Sequence, residues 1–358
     1  MKRHTLIPTL TTAAAAALVL AACTGSGGGG GEAGSDGEGG GDITLSYAFF
    51  APAASFPAVQ MEEWAAQLNE RTDGQVTVET FPGGTLLSAG DIYDGVSQGV
   101  VDVGLDSPAY DTERFPFSSV INQPIGIENS QVASATFLDL LLEYEPEEFS
   151  DYVIITAFTT EPAYIQSEQA IDSAAAFQGV SLRSAGAAVP TLEAFGANPV
   201  GLSMADVAEN LQTGVIDGYI SSREVMRDFS LAELVDYVTD YPFGVSNSFV
   251  AVMDRDAFEA LPQDVQDTIL ELREEMSQFA SELHDGENVA GALEFAQDEH
   301  GVEILEVPED EAAEWDTTME SLAGDWVTAH SGADFDAQEV LDRMRELADE
   351  HSAELGEG

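Results

Sequence analysis

Lysine is almost missing from this 358-residue chain: Lys2 is the only one, and it stands beside Arg3 in a segment that reads as removable. Past that segment nine arginines face 66 acidic residues, a formal charge near −57. Such an anion excess repels phosphate backbones and anionic headgroups, which excludes nucleic acid and charge-driven lipid binding. It fits a body kept soluble in a salty extracellular medium, where ions screen the self-repulsion. Cysteine is equally scarce. Cys23 is the only one, so no disulfide within the chain is possible. Catalytic motifs are lacking too: the chain has no Gly-x-Ser-x-Gly and no HExxH, and Gly83-Gly84 lacks the lysine of a phosphate loop. His284, His300, His330 and His351 are dispersed without metal-ligand spacing, and no EF-hand loop appears. Sixty-six acids create carboxylate pairs by chance, so a secreted hydrolase stands only as an alternative. The expectation is a protein that is no enzyme, with no cofactor and no metal.

What is present begins with an export signal. Lys2, Arg3 and His4 precede an uncharged, alanine-rich run from Thr5 to Ala22 that ends in small residues. Leu20-Ala21-Ala22-Cys23 then resembles a bacterial lipoprotein box, which makes Cys23 the expected lipid acceptor. Residues 1–22 are thus read as a signal peptide and 23–41 as a flexible Gly-rich tether, because Thr24 to Gly41 holds nothing able to build a core. The protein is expected to be extracytoplasmic and lipid-anchored.

The remaining body, about 315 residues, is enough for two α/β domains. Ile43 to Tyr47 reads as a strand, and Met61, Trp64, Ala65 and Leu68 mark one face of a helix. Further strands are expected around Val76–Val78, Val101–Leu105, Tyr152–Phe158, Val180–Arg183, Val215–Tyr219 and Phe249–Met253. Helices are expected between them, and the alternation implies a largely parallel, helix-covered sheet. After Leu261-Pro262 a proline-free stretch from Gln263 to about Gln297 keeps a stripe of Ile269, Leu272, Met276, Phe279 and Leu283. That helix is longer than one domain is wide. Acidic amphipathic helices are expected around Trp315–Val327 and Ala337–Leu347.

Three segments together resemble the DctP-like solute-binding proteins of tripartite ATP-independent periplasmic (TRAP) transporters. The first is Phe81-Pro82-Gly83-Gly84-Thr85-Leu86 followed by Gly99-Val100-Val101-Asp102-Val103-Gly104. The second is Arg114-Phe115-Pro116-Phe117 leading to Gln123-Pro124-Ile125. The third runs from Leu182-Arg183 through Phe195-Gly196-Ala197-Asn198-Pro199-Val200 to Leu211-Gln212-Thr213-Gly214-Val215-Ile216-Asp217-Gly218. The resemblance implies a two-lobe α/β fold of the periplasmic-binding-protein type (type II-like), with a long helix spanning both lobes. Lobe I would comprise 42–160 plus 247–286, and lobe II 161–246 plus 287–350. It also implies capture of a small organic acid and its delivery to one large and one small membrane subunit. A binding lipoprotein for an ABC importer or a sensor is the alternative with the same fold.

The resemblance makes Arg183 the clamp for the ligand carboxylate, and a planar guanidinium fork suits that task. It further implies ligand contacts at Asp106, Ser107, Phe49, Met204, Ser221 and Asn247, with Phe50 beside Phe49 at the cleft mouth and Tyr219 in the pocket wall. A second arginine common in the family is missing: its region here is Glu161-Pro162-Ala163-Tyr164. A single-carboxylate ligand follows, an apolar or aromatic monocarboxylate or a 2-keto acid. Arg223, with Arg227 at i+4, reads as an exposed helix face paired with Glu224 or Asp228, and otherwise as a second ligand charge.

Overall fold

A computed structural model describes residues 43–355. The signal, Cys23 and the tether lie outside the described residues. The strands are β1 (Ile43–Phe49), β2 (Val76–Phe81), β3 (Val103–Asp106), β4 (Tyr152–Thr159), β5 (Tyr164–Ser167), β6 (Ser181–Ser184), β7 (Asn198–Gly201), β8 (Gly218–Ser221), β9 (Tyr237–Asp240), β10 (Ser248–Asp254) and β11 (Glu303–Glu306). The helices are α1 (Phe56–Arg71), α2 (Ile92–Ser97), α3 (Ser130–Tyr144), α4 (Val189–Phe195), α5 (Val207–Gln212), α6 (Val225–Asp228), α7 (Arg255–Glu259), α8 (Gln263–Leu283), α9 (Val289–His300), α10 (Glu309–Ala329) and α11 (Ala337–Leu355). Among the described residues, no helix is long and apolar enough to cross a membrane.

The strands form two sheets rather than one, in the orders β2-β1-β3-β10-β4 and β11-β9-β5-β8-β6-β7. Neither sheet is all parallel. The two strands that follow a crossing between sheets, β5 after β4 and β10 after β9, run antiparallel to their neighbours. The two crossings touch at a bridge between Pro162 and Val245. β8 starts at Gly218, later than the apolar Val215-Ile216 pair suggests, because Val215 lies exposed in the turn before it. Gly218 has a reason to be glycine: a Cβ there would meet the Gln166 carbonyl oxygen at 2.5 Å.

The helical stripes read from the sequence become cores. Met61, Trp64 and Leu68 of α1 and Val265, Ile269, Leu272 and Met276 of α8 share one apolar cluster against the first sheet. The long helix is continuous from Gln263 to His300 and passes from the first sheet to the second, where Ala296 joins another cluster. It is interrupted by a π turn at His284–Asn288, the kind of local widening that often marks a functional position. The widening turns Asp285 onto the start of α3, where its carboxylate accepts from the backbone N–H groups of Ser130 and Gln131 at 3.1 and 3.0 Å. A negative charge at the positive end of a helix is favourable.

The C-terminal region departs from the sequence reading, which placed 287–350 with lobe II. Trp315 and Met319 of α10 pack in the second-sheet cluster with Phe177, Phe195 and Phe243, but Trp326 of the same helix packs on the first-sheet side. There its Nε1 donates to Ser119 Oγ at 2.8 Å. α11 then lies along α3, with Val340, Leu341 and Met344 in the first-sheet core. The physical reason is an apolar face on α3, Phe137 to Leu141, that shares one core with the apolar stripe of α11. Four segments therefore tie the lobes together: the two crossings, the long helix and α10.

Candidate ligand-binding site

Where β1, β6, β8 and the crossings meet, side chains from both lobes line a cavity enclosing about 560 Å³ of non-atom space, including its mouth. One wall is aromatic. Phe49 and Phe50 end β1 with ring centroids 4.7 Å apart, and Phe249 stands edge-on to Phe49 at 5.9 Å. Phe56, at the start of α1, meets Phe249 at 6.0 Å, and Tyr110 meets Phe50 at 5.6 Å. Such a wall excludes water and presents ring faces to a ligand.

Arg183 enters from β6, paired in register with Tyr219 of β8 and Val200 of β7. It is 2 % exposed, and its Nε donates to the Leu202 carbonyl at 2.9 Å. Its guanidinium carbon lies 5.7 Å from the Tyr110 ring centroid, so lobe I reaches across to it. Burial pulls its pKa down from the usual value. Among the described residues no carboxylate pairs with it; Arg255 and Arg273 also lack an acidic partner but lie away from this cavity, whereas Arg71, Arg114, Arg223, Arg227, Arg343 and Arg345 all have one. In a chain with 66 acids, that isolation is informative.

The structure brings Phe49, Phe50, Arg183, Met204, Ser221 and Asn247 together on the cavity surface. Asp106, Ser107 and Tyr219 lie outside that lining. Asp106 is consumed structurally, accepting from the N–H groups of Gly90 and Ser107 at 2.9 Å each, and burial raises its carboxyl to about 7. Ser107 donates to Asn247 Oδ1 at 2.7 Å and so orients a lining residue. Tyr219 is fully buried behind the wall, in the cluster with Met204, Val207 and Met226. Its hydroxyl has no hydrogen-bond partner.

Arg223 is not on an exposed helix face. Its Nε and Nη2 grip Glu161 at 3.0 and 2.6 Å, and its guanidinium stacks on the Tyr164 ring at 3.9 Å. The helix expected there shrinks to the single turn α6, and the crossing strand supplies the partner instead. Arg227 does contact Asp228, with Nε 3.5 Å from Oδ1.

Glu161, Glu224 and His284 place one donor atom each within 4.8 Å of one another. They do not make an open metal-ligand set. Glu161 is held by Arg223, and His284 Nε2 accepts the Glu161 N–H at 2.9 Å, which occupies its lone pair. Burial pushes the imidazole down to about 3, so it is neutral.

Sequence reasoning missed two lining acids. Glu224 and Asp228 both face the cavity. Burial drives the Glu224 carboxyl well above the ordinary carboxylate range, reinforced by the charges of Asp228 and Glu161. Burial likewise raises Asp228 to about 6, against the pull of Arg227. Nothing distinguishes these two from the other acids in the sequence, because their cavity exposure depends on how β8 meets the crossing strands.

A two-lobed body with a buried arginine in an interlobe cavity is the arrangement of a ligand-binding protein. The chain belongs to the DctP family, bacterial extracellular solute-binding proteins of family 7, whose model matches residues 49–328. A TRAP periplasmic solute-binding protein from Desulfovibrio salexigens is 34 % identical with a TM-score of 0.75, covering 86 % of this chain and 96 % of that one. A TRAP solute-binding protein from Rhodoferax ferrireducens, solved with copurified benzoate, shares the fold at 24 % identity and a TM-score of 0.81, covering 87 % and 99 %. The ectoine/5-hydroxyectoine-binding periplasmic protein of Ruegeria pomeroyi is 23 % identical over 236 residues, 63 % of this chain and 68 % of that protein.

Proposed function

We propose that this protein captures a small organic acid, a monocarboxylate or 2-keto acid, and delivers it to the large and small membrane subunits of a TRAP-type secondary transporter. The observation that carries this reading is the buried Arg183 guanidinium, which lines the cavity with no carboxylate partner among the described residues. A buried cation left alone costs several kcal/mol, a cost that a ligand carboxylate offsets on binding. Arg183 holds the carboxylate through its planar fork while Phe49, Phe50 and Phe249 cover the apolar remainder. Binding between the lobes then shifts the population toward the closed form that the membrane subunits recognise. Cys23 supplies the lipid anchor, and the tether holds the body near the membrane. The benzoate on the Rhodoferax protein supports the ligand class by likeness.

Thermal shift with pairs of small carboxylates and their primary amides, such as benzoate and benzamide, tests it. At least one acid should raise the melting temperature while its amide does not. A panel in which amides stabilise as well as acids removes the carboxylate reading.

A further inference from the structure

The cavity lining combines one arginine, Arg183, with two buried acids, Glu224 and Asp228. Glu224 is 4 % exposed. Its Oε1 accepts from Ser222 Oγ at 2.9 Å, but its Oε2 is buried with no hydrogen-bond partner. Among the described residues no cation is free to pair with it. His284 Nε2 lies 4.0 Å away, but that atom already accepts the Glu161 N–H, and Arg223 is occupied by Glu161. Asp228 is only partly satisfied: its side chain is 3 % exposed and Oδ1 pairs with Arg227 at 3.5 Å, while Oδ2 is buried without a hydrogen-bond partner among the described residues. Both residues line the same cavity as Arg183. The largest charge effects on Glu224 come from Asp228 and Glu161, both negative.

We propose that the ligand is a zwitterion: Arg183 takes its carboxylate, and the unpartnered Oε2 of Glu224, aided by Asp228, takes a protonated nitrogen. This rests on the reading of Arg183 as the carboxylate clamp. Buried polar atoms are paired as a rule, and an acceptor left without a donor loses the full value of its desolvated bonds. A ligand ammonium or amidinium supplies donors and a positive charge together. Its charge-assisted N–H···O bonds are about twice as strong as neutral ones. The aromatic faces of Phe49, Phe50 and Phe249 suit a cation as well as an apolar ring. A neutral, protonated Glu224 donating to a carbonyl or hydroxyl of the ligand is the competing arrangement, and charge on the ligand separates the two.

Two probe pairs matched in shape decide it by isothermal titration: cyclohexanecarboxylate against piperidine-4-carboxylate, and 4-ethylbenzoate against 4-(aminomethyl)benzoate. In the wild type, a nitrogen-bearing acid should bind at least tenfold tighter than its partner. Glu224→Gln removes the negative charge at constant shape, so it should weaken that acid at least tenfold and tighten the carbocyclic one, reversing the preference. Asp228→Asn should move both affinities in the same directions by a smaller factor, an independent arm if the first variant fails to fold. Equal or tighter binding of the nitrogen-free acids by the wild type overturns the proposal. So does a preference that survives Glu224→Gln, or a wild type that binds neither pair. Where the nitrogen-free acids bind best and Arg183→Ala abolishes that binding, the clamp stands and only the zwitterion reading falls. Binding of either acid that persists in Arg183→Ala removes both.

Discussion

Substituting Arg183 should separate ligand binding from folding, because the structure gives this residue little structural employment. Its contacts to the protein are few: Nε donates to the Leu202 carbonyl, the guanidinium lies beside Tyr110, and burial disfavours its charged form. Truncating one member of a buried, hydrogen-bonded charge pair costs about 2–5 kcal/mol of affinity. At 1.4 kcal/mol per decade, that range is roughly 30- to 4,000-fold in Kd for Arg183→Ala. Arg183→Lys keeps the charge but loses the fork and the Nε bond, so it should lose at least tenfold. Arg183→Met keeps most of the volume. Replacing a buried charge by an apolar side chain of similar size is often neutral or stabilising. The ligand-free Arg183→Met protein should therefore melt at or above the wild-type temperature while losing its ligand-induced shift. The assays are isothermal titration with the carboxylate that most stabilises the wild type, and thermal melts with and without it. An Arg183→Met protein that melts several degrees lower yet keeps its ligand-induced shift would falsify the clamp and make Arg183 a structural arginine.

Other residues carry the opposite expectation. Arg223→Met strands Glu161, whose side chain is 6 % exposed, and should destabilise by about 3–5 kcal/mol. The double variant Arg223→Met/Glu161→Leu should melt above the single one, and a double variant that melts lower would count against the pairing. Gly218→Ala forces a methyl group against the Gln166 carbonyl and the Ser167 backbone, and overpacking of this kind costs about 1–3 kcal/mol. An unchanged melting temperature there would show that β8 and β5 can move apart. Stability of the ligand-free protein should also rise on mild acidification. Asp106 and Glu148 are raised to about 7 and Asp228 to about 6, so the folded state keeps their protons where the unfolded chain has lost them. His284, lowered to about 3, acts in the opposite sense below about pH 6.5 but is one group against three. The contribution of the three acids is full below about pH 4 and disappears as pH rises through 6 to 7. Melts at pH 5 and pH 8 check it, and a lower melting temperature at pH 5 contradicts it.

Much of this architecture was legible because it rests on local periodicity. Met61, Trp64 and Leu68 announce a buried face at i, i+3 and i+7, and all three are buried. Arg183 was legible as an unmatched charge inside an apolar run. What escaped depends on contacts distant in sequence. The partner of Arg223 is Glu161, 62 residues earlier on a crossing strand. Tyr110 carries no local mark, yet it reaches Arg183 from the other lobe. Glu224 and Asp228 look like surface acids because each has an arginine beside it in sequence, at Arg223 and Arg227. Only the meeting of β8 with the crossing strands buries them.

The net charge and the cavity can be reconciled through long-range electrostatics. A chain near −57 past its signal segment repels a monocarboxylate anion before the anion reaches Arg183, and at low salt that repulsion extends about 30 Å. In 1 M salt it shrinks to about 3 Å, so a carboxylate arriving in a saline medium meets the clamp nearly unopposed. A zwitterion carries no net charge and avoids the penalty at either salt concentration. Association rates should therefore divide the two ligand types. The on-rate of cyclohexanecarboxylate should rise at least severalfold between 10 mM and 1 M sodium chloride in stopped-flow measurements. That of piperidine-4-carboxylate should change by less than twofold. If both on-rates were flat, the surface acids would be too distant from the cleft mouth, or too well neutralised by bound cations, to act on an arriving ligand. The acid excess would then serve solubility alone.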